Sequence, residues 1–583
     1  MAEILSSSGA NISNKSWDLA QIKENLIKIN KACSSRGLLH SAKWSAELSF
    51  TLDEITPEIQ EKKESDLFLK EYDRYTLAKS YFDLKEYDRG AYFLTDCKSS
   101  KGYFLHMYSR YMSGEKKKAD DQGDSIGPVE KIENEHLRVL RAELYKELKE
   151  TGLDGFCFYL YGVVLKKLDL HREALDALLE AVRKEPLHWG AWLELALLIT
   201  DKEMLSSLNL PNHWMKQFFL GHIYLELQLN EEAFKVYQDL TECGFAKSTY
   251  IKSQIAVYYH NVRDVDQAVE AFTQLQPTDP CRLEHMDTFS NLLYVKEMRL
   301  ELAHLALHCC EVDKYRVETC CVIGNYYSLR SQHDKAVLYF QRALKLNAHY
   351  LSAWTLMGHE YMEMKNSSAA IQAYRQAIEV NKRDYRAWYG LGQTYEILKM
   401  PYYCLYYYRQ AQQLRPNDSR MTVALGATYE KLDRLQEAKK CFWKAHSIGD
   451  VEGTALIRLA RLYDKLNEEE QAAVAYTEYI NEAQRQGTFN AEELAQAYKY
   501  LANFHLKHER LNEAYAAATK CTEFNEMREE GKALLRQIAS LRSLGEAGLP
   551  MEEDVGSITR ERPHTLLDTP SASRLSPMNL TFD

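Results

Sequence analysis

The sequence predicts an all-α solenoid of repeated helix pairs, and three observations carry that prediction. One 34-residue pattern is written three times without a gap between Val317 and Asn417. Each copy opens with a large-small pair followed by a Tyr at helical spacing: Ile323-Gly324 and Tyr327, Met357-Gly358 and Tyr361, Leu391-Gly392 and Tyr395. Each closes on a second helical set: Ala336, Phe340, Ala343; then Ala370, Tyr374, Ala377; then Cys404, Tyr408, Ala411. Apolar residues three and four apart mark helices, and a fixed period of this length marks a stack of small helical units.

This ordered set is the tetratricopeptide signature. Gly324, Gly358 and Gly392 are expected where the two antiparallel helices of a repeat come closest, with small residues on the facing helix. The aromatics are expected to fill the space between successive pairs, because such a repeat buries its apolar face only against its neighbours. Trp354 and Trp388 open the first helices of the second and third copies, and Cys320 holds that position in the first.

In chain order, 1–65 reads as N-terminal helices and a loop: Trp17 to Cys33 is amphipathic, a shorter helix follows near Leu38 to Phe50, and Thr51 to Ser65 is acidic with Pro57. Faint copies occupy 66–112. The stretch 113–134, SGEKKKADDQGDSIGPVEKIEN, reads as a charged flexible insertion, with Lys116-Lys117-Lys118 diluted by acidic neighbours rather than forming an import signal. Repeats of an N-terminal half fill 135–250, with Thr200 to Trp214 expected to bend the array. A C-terminal array fills 251–526, a capping helix 527–544, and a disordered tail 545–583, where periodicity is lost and Gly, Pro and Ser accumulate.

The net charge of −11 argues against a nucleic-acid surface and favours a basic partner segment. The N-terminus lacks the apolar core of a secretory signal, and no apolar run approaches the ~20 residues that span a bilayer, so a soluble intracellular protein is expected. Cys309-Cys310 and Cys320-Cys321 suggest metal, but no CxxC occurs and adjacent helical residues diverge by about 100°. Buried packing cysteines in a reducing compartment are the expectation. His359-Glu360 begins like a metalloprotease helix, but Glu363 stands where the second His belongs. No phosphate-binding, dinucleotide-binding or nucleophile-elbow motif occurs, and the repeats leave no room for a separate catalytic domain. No catalytic residue, cofactor or metal is expected.

Function is therefore expected on the hollow side, built from the first helices. The residue after each large-small pair forms a row: Val257, Asn291, Asn325, His359, Gln393 and Ala427. Amides donate and accept, so the row suits an extended peptide backbone, although ordinary solvated positions would give the same pattern. Asn325 is the strongest single candidate. Glu363, Glu396 and Glu430 are placed along the same wall, to pair with Arg or Lys of a bound peptide or to form a solvated acidic face. Thr569-Pro570 and Ser576-Pro577 offer proline-directed phosphorylation sites in the tail.

The run VETCCVIGNYYSLRSQHDKAVLYFQRALKLN with its continuation through RPNDSRM, RGLLHSAKWSAELSF, and PLHWGAWLELALLITDKEML resemble the subunit 8 family of the anaphase-promoting complex. The resemblance covers roughly Trp17 to Leu544 and the Ser-Pro tail. It implies a non-catalytic scaffold subunit of a cell-cycle ubiquitin ligase, in nucleus and cytoplasm, acting on mitotic regulators. It also implies a homodimer through the N-terminal repeats, stacking on other repeat and scaffold subunits, and a C-terminal groove, including Asn325, for short motifs of activator proteins. The other use of such repeats, a co-chaperone adaptor, needs a basic clamp beside the groove amides. Asp287 and Cys321 stand four before Asn291 and Asn325, so that clamp is absent.

Overall fold

The computed structural model describes residues 17–56, 65–124, 134–150, 152–450, 453–486, 491–524 and 527–546. Helices and their turns account for these residues, with no strand among them. The expected tail and the sites Thr569 and Ser576 lie outside the described residues. Two compact units divide between Lys296 and Glu297, later than the boundary near 250 read from the repeats. The shift has a packing cause: Ile251 and Tyr258 are buried in the N-terminal core, so their helix Thr249–Val262 belongs with what precedes it.

In the N-terminal unit, Leu19–Ser35 starts where Asp18 accepts hydrogen bonds from the amides of Ala20 and Gln21. Its apolar face, Ile22, Leu26, Ile29 and Cys33, is buried. Leu39–Phe50 packs on it, and Trp44 stacks on Trp189 with centroids 4.5 Å apart. Asp66–Asp83 and Tyr87–Phe93 form a satellite core around Phe82 and Leu94. The pairs Gly155–Lys167 with His171–Lys184 and Met215–Glu226 with Asn230–Leu240 continue the array, and the truncated copy keeps Trp189–Leu198 with only a six-residue partner, Lys202–Ser207.

The insertion expected at 113–134 is helical over its first half, because Ser100–Asp124 runs on as one helix. Ser113 is buried and bonds Asp88 Oδ1 at 2.5 Å, while Asn134 bonds Glu115 at 3.1 Å and its side chain closes against Gly114. These contacts carry the helix past the point where composition turns polar. Residues 125–133 lie outside the described residues.

The C-terminal unit holds Arg299–Asp313 and then paired helices: Val317–Leu329 with His333–Leu346, Leu351–Glu363 with Ser367–Val380, Tyr385–Ile397 with Pro401–Leu414, Ser419–Lys431 with Leu435–Ile448, Thr454–Lys465 with Glu469–Gln486, and Ala491–Lys507 with Leu511–Cys521. Arg528–Glu546 closes the end, burying Ile538 against Ala502, Ala514 and Ala518. The first helices of successive repeats pack side by side, which puts the hollow side of this unit along them.

Each signature residue has a visible task. A Cβ on Gly358 would stand 2.6 Å from the Tyr374 ring, and one on Gly426 would stand 2.7 Å from Phe442, so the aromatic of the second helix lies on the glycine of its own repeat. The expected filling between repeats is there as well, since a Cβ on Gly390 of the next repeat would stand 2.5 Å from the Tyr374 ring. Tyr361, Tyr395 and Tyr429 do bridge repeats: their hydroxyls accept from Gln341, Arg375 and Arg409 of the preceding second helix at 3.2, 3.2 and 3.3 Å. The indole N–H groups of Trp354 and Trp388 donate 2.9 Å bonds to the carbonyls of Ala348 and Lys382, tying each helix start to its loop.

Between the helices of a repeat the chain turns through one left-handed residue: Ser331, Lys365, Lys399, Asp433 and Asn467, with φ from 57° to 60°. The amide after it reaches back to the carbonyl of the signature Tyr, as from Asn366 to Tyr361 at 2.8 Å. This closes the helix end in the Schellman manner without its usual glycine.

Candidate functional site

The predicted row does not behave as a uniform solvated wall. In the N-terminal unit, Asn291 is 6 % exposed. In the C-terminal unit, Asn325 is 3 % exposed and Ala427 is buried, while His359 and Gln393 are half-buried. The close packing of neighbouring first helices is what closes these positions. The His359 Nδ1 stands 2.7 Å from the Tyr374 hydroxyl. Burial, helped by the Arg386 guanidinium, pushes its imidazole down to about 3, so it is neutral at physiological pH. Gln393 differs from the rest: its Oε1 is shielded from solvent and has no hydrogen-bond partner among the described residues. A shielded carbonyl oxygen without a donor costs about 1–3 kcal/mol, a cost relieved when the side chain turns towards a donor.

The three carboxylates do not form one row. Glu396 accepts from Lys431 at 2.6 Å and from the Tyr408 hydroxyl at 2.7 Å. Burial raises its carboxyl, but Lys431 and Tyr408 outweigh burial and hold it below the usual range. Glu430 is paired in the same way with Lys465. Both lysines lie one repeat plus one residue after their partners, on the next first helix. Glu363 falls one position later in the repeat, where Lys431 and Lys465 stand in later copies. It is exposed, and it is the member of the trio not joined to a lysine by an ion pair among the described residues.

Sequence reasoning missed Glu360. It is 6 % exposed, accepts from the Ser328 hydroxyl at 2.6 Å and stands 2.8 Å from His333 Nδ1, linking three elements of two repeats. Burial raises its carboxyl, and the two hydrogen bonds temper the rise. The signal was weak: Tyr326, Thr394 and Thr428 hold the equivalent positions.

Cys309, Cys320, Cys321 and Cys404 are buried, as packing cysteines should be. Burial pushes the Cys309 thiol up to about 12 and the Cys404 thiol to about 11, which leaves almost no thiolate at neutral pH. No helix among the described residues is long and apolar enough to cross a membrane. The wall offers amides, carboxylates and aromatic edges held by packing.

Comparison with known proteins agrees with this architecture. The family described as anaphase promoting complex subunit 8 / Cdc23 matches residues 21–256, and tetratricopeptide repeat families match 317–350 and 358–397. Cell division cycle protein 23 homolog of Homo sapiens is 60 % identical over 304 residues, covering 51 % of this chain and 50 % of that protein. Anaphase-promoting complex subunit 8 of Arabidopsis thaliana is 49 % identical over 295 residues, 50 % of this chain and 51 % of that protein. The chain thus spans about half the length of these curated relatives in the matched region. The structure of the APC/C hetero-tetramer Cut9-Hcn1 shares the fold, with a TM-score of 0.56 and 17 % identity, covering 80 % of this chain and 89 % of that one. Anaphase-promoting complex subunit 8 of Dictyostelium discoideum is 39 % identical over 407 residues, 59 % of this chain and 69 % of that protein. With more than two thirds of a relative covered at that identity, the chain belongs to the anaphase promoting complex subunit 8 / Cdc23 family.

Proposed function

We propose that this chain is a non-catalytic scaffold subunit of the anaphase-promoting complex, a cell-cycle ubiquitin ligase whose catalysis resides in other subunits. It assembles with other repeat subunits, pairs with a second copy through its N-terminal repeats, and works in nucleus and cytoplasm. On the hollow side of its C-terminal unit it takes up a short extended motif of an activator protein, in the neighbourhood of Asn325, His359, Gln393 and Glu363. Phosphorylation at Thr569 and Ser576 adjusts these contacts.

The observation that carries the peptide-binding reading is the shielded, donor-less Oε1 of Gln393 on a wall where Glu396 and Glu430 are already neutralised. Once the Gln393 side chain turns outward an incoming backbone N–H satisfies its amide, and a basic side chain reaches Glu363. The test is fluorescence anisotropy of overlapping activator peptides on the full chain. Gln393→Leu and Glu363→Gln are each expected to weaken one basic peptide about tenfold, the loss of ~1.4 kcal/mol. Equal binding by both variants and the parent chain overturns the reading. For assembly, purification of the tagged protein should recover other subunits of the ligase, whereas recovery of chaperones alone refutes it.

A further inference from the structure

On the second-helix side of the C-terminal unit, His446 in Leu435–Ile448 faces Glu478 and Glu482 of the next repeat's Glu469–Gln486. One ligand atom from each lies within 4.8 Å of the other two. The carboxylates sit one helical turn apart, a like-charge spacing that destabilises a helix unless a cation intervenes. Elsewhere in this part of the unit a lysine or arginine supplies it: Lys439 for Glu468 at 2.6 Å, Lys507 for Glu469 at 2.5 Å and Arg461 for Glu493 at 3.6 Å. Beside Glu478 and Glu482 no lysine or arginine stands within ion-pair distance among the described residues. The basic side chain that does face them is His446, whose Nε2 is 3.8 Å from Glu478.

We propose that His446, Glu478 and Glu482 bind one divalent cation of the zinc class, clipping together the second helices of two consecutive repeats. One imidazole nitrogen and two carboxylates without a thiolate suit such borderline ions. Bonds of about 2.0–2.2 Å place ligand atoms roughly 3–3.5 Å apart, so a small rotamer adjustment of these partly exposed side chains closes the set and leaves the remaining positions to water. The three residues come from two repeats at a spacing that belongs to no metal motif, which is why the sequence reading gave no metal here.

The test titrates cobalt(II) into the chelator-treated full chain with its cysteines reduced, beside the Glu478→Gln/Glu482→Gln double variant, whose amides keep the side-chain volume. The parent chain is expected to bind one cobalt ion with ligand-field bands and no thiolate charge-transfer band, and the variant about tenfold or more weakly. Zinc is expected to raise hydrogen-exchange protection over residues 435–448 and 469–486 in the parent alone. A thiolate band, affinity unchanged in the variant, or no binding overturns the proposal. His446→Gln serves as a second variant, and its retaining full affinity does the same.

Discussion

Replacing Gly358 by Ala tests the central packing claim because two effects predict opposite signs. Helix propensity alone makes Ala at a mid-helix position better by about 1 kcal/mol. The structure puts the new Cβ 2.6 to 2.8 Å from three atoms of the Tyr374 ring, closer than real contacts allow. The ring cannot retreat, since it is fully buried, its hydroxyl is held 2.7 Å from His359, and Gly390 of the next repeat also closes against it. Overpacking of this kind costs about 1–3 kcal/mol and sometimes more, and with the ring unable to retreat its upper part applies, so a net loss of up to about 2 kcal/mol is expected once propensity is subtracted. Hydrogen-exchange mass spectrometry of the full chain reads it as faster opening of peptides in 351–380, which avoids assuming that a repeat array unfolds in one step. Tyr374→Leu should absorb the insult, so Gly358→Ala in that background should cost little. A stabilised Gly358→Ala, or an equal loss in both backgrounds, refutes the ring-on-glycine packing.

Four further outcomes follow. Lys365→Gly and Lys399→Gly should each slow local opening, by about 0.5–1 kcal/mol, because a side chain is removed from a left-handed residue; faster exchange would contradict the cap geometry. The C-terminal unit should lose protection when Gly358 becomes Leu, while Asn325→Ala should weaken activator binding and leave the complex assembled; equal losses of folded protein would show that core and wall were misassigned. His188 is 1 % exposed, and burial, with Arg36 nearby, pushes it down to about 3. It is neutral when folded while the unfolded chain takes up a proton below about 6.5, so stability present at pH 7 falls on acidification, by about 2 kcal/mol at pH 5; His188→Phe should abolish that slope in the N-terminal unit as read by exchange at each pH. Lys431→Met should uncover Glu396 and tighten a basic peptide a few-fold, and unchanged affinity would place the peptide elsewhere.

The repeat was legible because its residues act within a fixed local frame. Gly against aromatic, Trp against its loop carbonyl and Tyr against the previous second helix all recur at one spacing, so sequence period and packing period coincide. The turns were less legible, since Ser331, Lys365, Lys399, Asp433 and Asn467 share a left-handed conformation and no side-chain type. The helix through Ser113–Asp124 was hidden because polar composition there is overruled by contacts to Asp88 and Asn134, which lie 25 and 20 residues from Ser113 and Gly114. The wall was read in part. Its residues fall on the first helices as expected, but burial of Asn325 and the pairing of Glu396 and Glu430 depend on how neighbouring helices are set against each other. A periodic pattern leaves that register open.

That register has a consequence for specificity. A carboxylate bonded to an adjacent lysine presents little net charge to a ligand, and displacing the lysine sacrifices the bond already made. The repeats from Tyr385 to Lys465 therefore supply shape and hydrogen bonds, with their acidic groups balanced internally at Glu396–Lys431 and Glu430–Lys465. One repeat earlier that pairing is missing, because Met362 holds the position of Glu396 and Glu430, and Glu363 stands one residue later, where the lysines of later repeats stand. Glu363 is left exposed, close in sequence to the neutral His359. On the proposed peptide-binding reading, a basic residue of the bound segment gains most here, where no internal cation must be displaced, while the Gln393 amide one repeat on takes a backbone N–H. That reading concentrates charge selectivity at a single repeat, so Glu363→Gln should flatten the preference for basic over neutral peptides more than Glu396→Gln does.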